Sequence, residues 1–444
     1  MGFKGKETVA YRSDRSRSKQ LYEQGLRVLP GANSRHSVTM DPYPIYVSSG
    51  NGCRIVDVEG EERIDFINNM TSLVHGHAHP AIVEAVKKQL ERGTAFAMPT
   101  EPELELASLL VERVDYIDKL RFCNSGTEAV MLAIKAARAF TGKHKIAKIE
   151  GAYHGTYDYA QVSEGPGPEE WGDPTEPDSA TEPSVAPSVK TDVIVMPWNN
   201  IQACASIIEK HREELAAVLI DPLPAALGWI APEPGFLESL REITRGYGIL
   251  LISDEVISFR ASYNGACQEY GIKPDITALA KIIGGGFPVG AVGGSDEVME
   301  VFDHRKGHKV HHGGTFNANP ITMTAGLTAM KLMTPEAYDR LNEMGEHVRG
   351  RLNQLISRRE SPAQVTGKGS LFWLHLTDKK MENFRDFVNN GPEKSLSHSF
   401  SQEMLGHGIV YAGRGLSCLS TVMGQEELDA YVEAVDASLD AVDF

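Results

Sequence analysis

The sequence predicts an α/β fold: a large domain on a mostly parallel sheet, with a smaller α+β domain drawn from both termini. Three observations carry that prediction. Short apolar runs rich in Val, Ile and Leu recur between about residues 80 and 330. Amphipathic stretches of helical period separate several of them. After about residue 335 the alternation gives way to a long polar helical pattern, short strands and a final helix. The expected boundaries are 1–74 for an N-terminal part of the small domain, 75–330 for the large domain and 331–444 for the rest of the small one.

Along the chain, PIYVSSGNGCRIVDVEGEERIDF (44–66) reads as strands joined by glycine turns. HPAIVEAVKKQLERG (79–93) has helical period. Seven strand-like runs follow: LRFC (120–123), KIAKIE (145–150), DVIVMP (192–197), AAVLID (216–221), GILLISD (248–254), DITALA (275–280) and PVGAVGG (288–294). TEAVMLAIKAARAF (127–140) and NIQACASIIEKHREEL (200–215) are helices between them. Continuous apolar runs of this length suit strands buried on both faces, and ligands of such sheets sit at the carboxyl ends of the strands. Asn124, Asp221, Asp254 and Lys281 all follow a run directly. The stretch 163–190, rich in Pro, Glu, Asp and Ser, is an irregular excursion, either a disordered loop or a lid.

Composition excludes some classes of function. A net charge of −16 argues against nucleic acid or an anionic membrane as partner. No apolar run reaches the roughly 18 residues of a membrane span. The first twenty residues are polar and carry no secretory pattern. Five scattered cysteines lack metal-ligand spacing and fit free thiols in a reducing, cytoplasmic setting. His75, His77 and His79 alternate, but no metal site is expected of them.

Three motifs carry chemistry. NSGTEAV (124–130) lies between a strand and a helix. Ser125 and Glu128 form a capping box; equally, Ser125, Gly126 and Thr127 offer N–H groups and hydroxyls to an anion at a helix N-terminus. Asp254 ends an apolar strand, as a capped core aspartate or as the partner of a cationic ring nitrogen. In ALAKIIGGG (278–286), Lys281 stands between an apolar run and three glycines. A lysine desolvated there has a lowered pKa and becomes nucleophilic. A phosphate cradle, a strand-end aspartate and a strand-end lysine together suit pyridoxal 5'-phosphate.

With these motifs the chain resembles the class III (subgroup II) aminotransferases of pyridoxal-phosphate fold type I, from about residue 20 to 440. It is most similar to the branch holding glutamate-1-semialdehyde aminomutase, β-amino-acid aminotransferases and D-phenylglycine aminotransferase. The resemblance implies Lys281 as Schiff-base lysine and proton carrier. It implies Asp254 on the pyridine nitrogen, Val256 on one ring face, and Tyr153, accompanied by His154, on the other. Ser125, Gly126 and Thr127 would hold the phosphate, and Thr315 would reach the phosphate of a neighbouring subunit in a homodimer. Arg35, in LPGANSRHSV (29–38), and Arg414, in YAGRGLSCLST (411–421), are the candidate carboxylate ligands. Met70 and Ser72 fall where the aminomutases have tryptophan and proline, which implies a reshaped substrate pocket with Met70 as a substrate contact or as plain packing. Asp221 stands where the family usually has glutamate, and the 163–190 excursion lies where aminomutases carry a mobile gate.

The implied activity is amino transfer from a β-amino acid, aromatic or not, to 2-oxoglutarate or pyruvate. A D-α-aryl amino acid aminotransferase or an aminomutase is the alternative. A catalytically idle binding protein on the same fold would have no reason to keep Lys281 and Asp254.

Overall fold

The computed structural model describes residue 13 and residues 16–307, 309–442 and 444. Residues 1–12, most of the stretch read above as lacking a secretory pattern, lie outside the described residues. Three strands, β1 (Val47–Asn51), β2 (Arg54–Asp57) and β3 (Glu62–Asp65), form an antiparallel meander.

All seven apolar runs then form strands of one sheet: β4 (Lys119–Cys123), β5 (Lys145–Ile149), β6 (Val193–Met196), β7 (Leu215–Ile220), β8 (Leu250–Asp254), β9 (Ile276–Ala280) and β10 (Gly290–Gly294). Their order is β4-β10-β9-β8-β7-β5-β6. Only β10 runs antiparallel to its neighbours; every other pairing is parallel. The carboxyl ends of β4, β5, β7, β8 and β9 therefore share one edge.

Burial explains why these runs read as continuous. Every residue of β7, β8 and β9 is buried. Along β7, Val218 and Ile220 enter one core cluster while Leu219 enters the other, on the opposite face. Each such fully buried Val, Leu or Ile contributes about 1.5–3 kcal/mol. Helix Gly126–Thr141 covers one face, packing across β9 and β10. Helices Ile201–His211 and Phe236–Gly246 pack on each other, and the second packs on β8. Helix Pro320–Leu332 packs against helices Pro80–Leu90 and Glu101–Arg113.

Beyond residue 335 come helix Pro335–Arg359, the antiparallel strands β11 (Gln364–Thr366) and β12 (Leu371–His375), then β13 (Ile409–Val410), β14 (Leu416–Cys418) and helix Gln425–Asp440. β14 pairs with β12, whereas β13 pairs in parallel with β3. The C-terminal chain thus completes the N-terminal sheet.

The 163–190 excursion is neither shapeless nor detached. Trp171 is buried, and its indole N–H donates to the Pro166 carbonyl at 2.9 Å. Val185 and Val189 enter a core cluster. The Arg385 guanidinium donates to the carbonyls of Trp171 (2.6 Å) and Gly172 (3.1 Å) while gripping Glu150 at 3.0 Å. Its polar composition concealed these few anchors.

Candidate active site

Helix Gly126–Thr141 starts directly after β4. Ser125 adopts extended backbone, and its Oγ accepts from the Glu128 N–H at 3.1 Å. Glu128 returns the bond by accepting from the Asn124 N–H at 2.8 Å. The N-cap half of the capping box is therefore realised while Glu128 bonds one residue before the cap, and the Ser125 hydroxyl keeps its proton to donate. Gly126 and Thr127, the first two residues of the helix, line a cavity of about 340 Å³ at the carboxyl edge of the sheet, whereas Ser125 does not line it. A methyl group on Gly155, which has φ +87°, would meet Thr127. That bare backbone keeps the cradle open to a bulky anion.

The other strand ends converge on the same cavity, which Tyr153, His154, Asp221, Asp254, Val256 and Lys281 all line. Asp254 is buried. One of its carboxylate oxygens accepts from the Val256 N–H at 3.1 Å and the other lies 2.8 Å from His154 Nδ1. Burial lowers the pKa of His154, with Asp254 acting in the opposite sense. A neutral imidazole then donates through Nδ1 and leaves Nε2 without a partner among the described residues. Tyr153 is 49% exposed and lines the cavity.

Lys281 leaves β9 with φ +51°, a left-handed conformation that a non-glycine residue adopts at a cost of about 1–2 kcal/mol. Desolvation lowers its pKa below the ordinary lysine value, against the pull of Asp254 and Asp221. Asp221 is itself pushed well up, first by burial and then by Asp254. Its Oδ1 accepts from the Leu223 N–H at 2.9 Å, so the shorter side chain in place of glutamate is locally satisfied.

The three glycines after Lys281 divide their roles. Gly286 lines the cavity. Gly285, with φ +59°, lies against the Ala325 carbonyl of helix Pro320–Leu332, where a methyl group would overlap it. The glycine run thus serves helix packing as well as the site.

The remaining candidates stand outside the cavity lining. Arg35 is exposed, and its Nη1 donates to Oδ1 of Asn69, a residue of the cavity lining, at 3.0 Å. Met70 is half-buried and packs on a cluster containing Trp229 and Trp373. Arg414 is exposed and makes no hydrogen bond or ion pair among the described residues. Thr315 is exposed on the 311–319 loop and does not line the cavity of its own chain. Asn69 and Phe287 line it but were missed; Asn69 precedes Met70, and Phe287 follows the glycines, so adjacency was the available signal. His75 contacts Thr421 and Ala329, and His77 contacts Asp65. Among the described residues no group of three or more potential metal ligands converges.

Hydroxyls and N–H groups at a helix start, a buried carboxylate at the floor and a desolvated lysine match the phosphate, ring nitrogen and aldehyde of pyridoxal 5'-phosphate. Comparison with known proteins agrees. The class-III aminotransferase family model matches residues 36–435. A glutamate-1-semialdehyde 2,1-aminomutase of Methanothermobacter thermautotrophicus is 38% identical over 426 residues, covering 95% of this chain and 99% of the relative. An omega-transaminase from Sphaerobacter thermophilus superposes with TM-score 0.93 at 50% identity, covering 97% of this chain and 98% of that one. A β-phenylalanine aminotransferase from Variovorax paradoxus gives TM-score 0.87 at 36% identity, over 96% and 94% of the two chains. The protein belongs to the class-III aminotransferases, enzymes that use pyridoxal 5'-phosphate and pass an amino group from a small-molecule donor to a keto-acid acceptor.

Proposed function

We propose that this enzyme takes its amino group from an aromatic β-amino acid and delivers it to 2-oxoglutarate or pyruvate. The observation that carries this reading is Arg35, tied at 3.0 Å to Asn69, a residue of the cavity that also holds Lys281. A guanidinium so placed offers a planar fork to a carboxylate. Ile257, Phe287 and Val289 line the cavity and supply an apolar wall for an aryl group, and Ile257 packs on the same tryptophan cluster as Met70. Likeness to a β-phenylalanine aminotransferase supports the same substrate class. Arg414 is the proposed second carboxylate ligand, suited to a dicarboxylic acceptor.

Pyridoxal phosphate, when bound, supplies the electron sink for the amine-bearing carbon. The chain does the rest. Lys281 Nζ, whose pKa desolvation lowers, would take the proton from that carbon and deliver it to the cofactor carbon. Asp254 would hold the proton of the ring nitrogen, and His154 fixes the orientation of Asp254. Ser125, Gly126 and Thr127 would hold the phosphate, and Tyr153 and Val256 would pack against the ring. Thr315 lies outside its own cavity, which favours the proposed homodimer in which it serves the neighbouring phosphate. The proposed division remains 1–74 and 331–444 against 75–330, supported by the pairing of β13 with β3.

An aminomutase is the second reading, favoured by the 38% identical relative of that name. Met70 and Ser72, in place of tryptophan and proline, weigh against it. Steady-state assays decide between them. The proposal expects turnover of β-phenylalanine with 2-oxoglutarate or pyruvate. Conversion of glutamate-1-semialdehyde without an external acceptor, and no turnover of β-amino acids, would reverse the order.

A further inference from the structure

Four consecutive non-glycine residues, Asn68, Asn69, Met70 and Thr71, have left-handed backbone, with φ of 48°, 48°, 52° and 72°. L-residues visit this region singly; a run of four is a left-handed turn and each member is strained. Such a turn persists only where its surroundings over-determine it. Here they do. Asp65 Oδ1 accepts from the N–H groups of Ile67 (2.8 Å) and Asn68 (2.9 Å). The buried Asn68 side chain donates to the Cys418 carbonyl at 3.0 Å. Arg260, fully buried, donates to the Thr71 carbonyl at 2.7 Å and also to the Leu419 carbonyl.

The turn projects Asn69 and Ser72 to the cavity. The Asn69 amide is fixed at both ends. Its Nδ2 donates to Ser72 Oγ at 3.1 Å, and Ser72 Oγ donates back to the Asn69 carbonyl at 2.9 Å. That leaves Oδ1 facing outward, where Arg35 Nη1 donates to it. Arginine can only donate, so the amide orientation is dictated.

We propose that Asn69 is a positioning residue and substrate-specificity determinant: the strained turn presents its Oδ1 so that the Arg35 guanidinium is held at the cavity mouth for a substrate carboxylate. This rests on the reading of Arg35 as a carboxylate ligand. Without the Asn69 acceptor, an exposed arginine samples many rotamers and must be ordered by the substrate itself.

The test compares holoenzyme kcat/KM for β-phenylalanine with that for 1-phenylethylamine, the same amine with its carboxymethyl arm reduced to methyl. Asn69→Ala lowers the ratio about tenfold, the loss of one charge-assisted hydrogen bond, through KM for the acid rather than kcat. Arg35→Ala lowers it at least as far, and the double variant no further than Arg35→Ala. Asn69→Gly lowers it equally but melts above Asn69→Ala, because glycine relieves the strain. If Arg35→Ala collapses the ratio and neither Asn69 variant moves it, Asn69 does not position Arg35. If Arg35→Ala leaves the ratio unchanged, the carboxylate reading fails and the inference with it.

Discussion

His154 Nδ1 lies 2.8 Å from Asp254 Oδ2, and both residues are buried and line the cavity. The pair leaves Asp254 one degree of freedom fewer: with the Val256 N–H on its other oxygen, the carboxylate cannot rotate. A carboxylate so held is preorganised for a ring nitrogen and needs no rearrangement when the ring arrives. His154→Ala is expected to loosen pyridoxal phosphate about tenfold while the protein stays folded. Asp254→Asn is expected to lower kcat by roughly a hundredfold or more, as loss of a strong electrostatic partner does. Cofactor titration and kcat measured on the same preparations check both.

Buried histidines give the fold a dependence on acid. Burial pulls His75 and His375 down to about 4 from the ordinary 6.5. The unfolded chain takes up protons at these residues near pH 6.5, whereas the folded chain does not. Their neutral state therefore favours folding above pH 6.5, and stability is lost as pH falls from there toward 4, on the order of 3 kcal/mol per histidine. Denaturant midpoints at pH 7.5 and 5 measure the loss, and His375→Gln flattens the profile. A midpoint that rises on acidification contradicts the assignment.

The strand ends were the legible part of the site. Lys281, Asp254 and Asp221 each follow an unbroken apolar run, so the same pattern that predicts buried strands also aligns these residues on one edge. The left-handed turn Asn68–Thr71 was not legible. No glycine marks it, and beyond the neighbouring Asp65 its anchors come from Arg260 and Cys418, far away in the chain. The order in residues 163–190 was hidden for the same reason, since Arg385 is remote in sequence and local composition speaks only for solvent. The glycines after Lys281 signalled close approach, but not that one approach is to helix Pro320–Leu332.

That approach is testable. Gly285→Ala sets a methyl group against the Ala325 carbonyl at a left-handed position, and so combines overlap with backbone strain. The expected loss is about 3 kcal/mol or more. Urea unfolding followed by circular dichroism measures it. Gly246→Ala, where a methyl group meets nothing, is the control and stays near the parent.

Arg385 holds the acidic excursion to the loop that carries Tyr153. Burial raises the pKa of Glu150, and Arg385 opposes that rise. Arg385→Ala leaves Glu150 buried without its partner and frees the carbonyls of Trp171 and Gly172. The cost is expected to be about 3 kcal/mol. Limited proteolysis then cuts within 163–190 in the variant and not in the parent. Equal resistance would mean that Trp171 and the buried valines alone secure the segment.

The most direct test of the whole account is the visible spectrum of the cofactor-loaded protein as β-phenylalanine is added without any keto acid, beside the same titration of Lys281→Ala. The account predicts that the cofactor band of the parent shifts with one hand of the donor and returns on adding 2-oxoglutarate or pyruvate. It predicts that Lys281→Ala folds but does not complete that cycle. A parent band that no amine donor moves, or a Lys281→Ala protein that turns over normally, would contradict it.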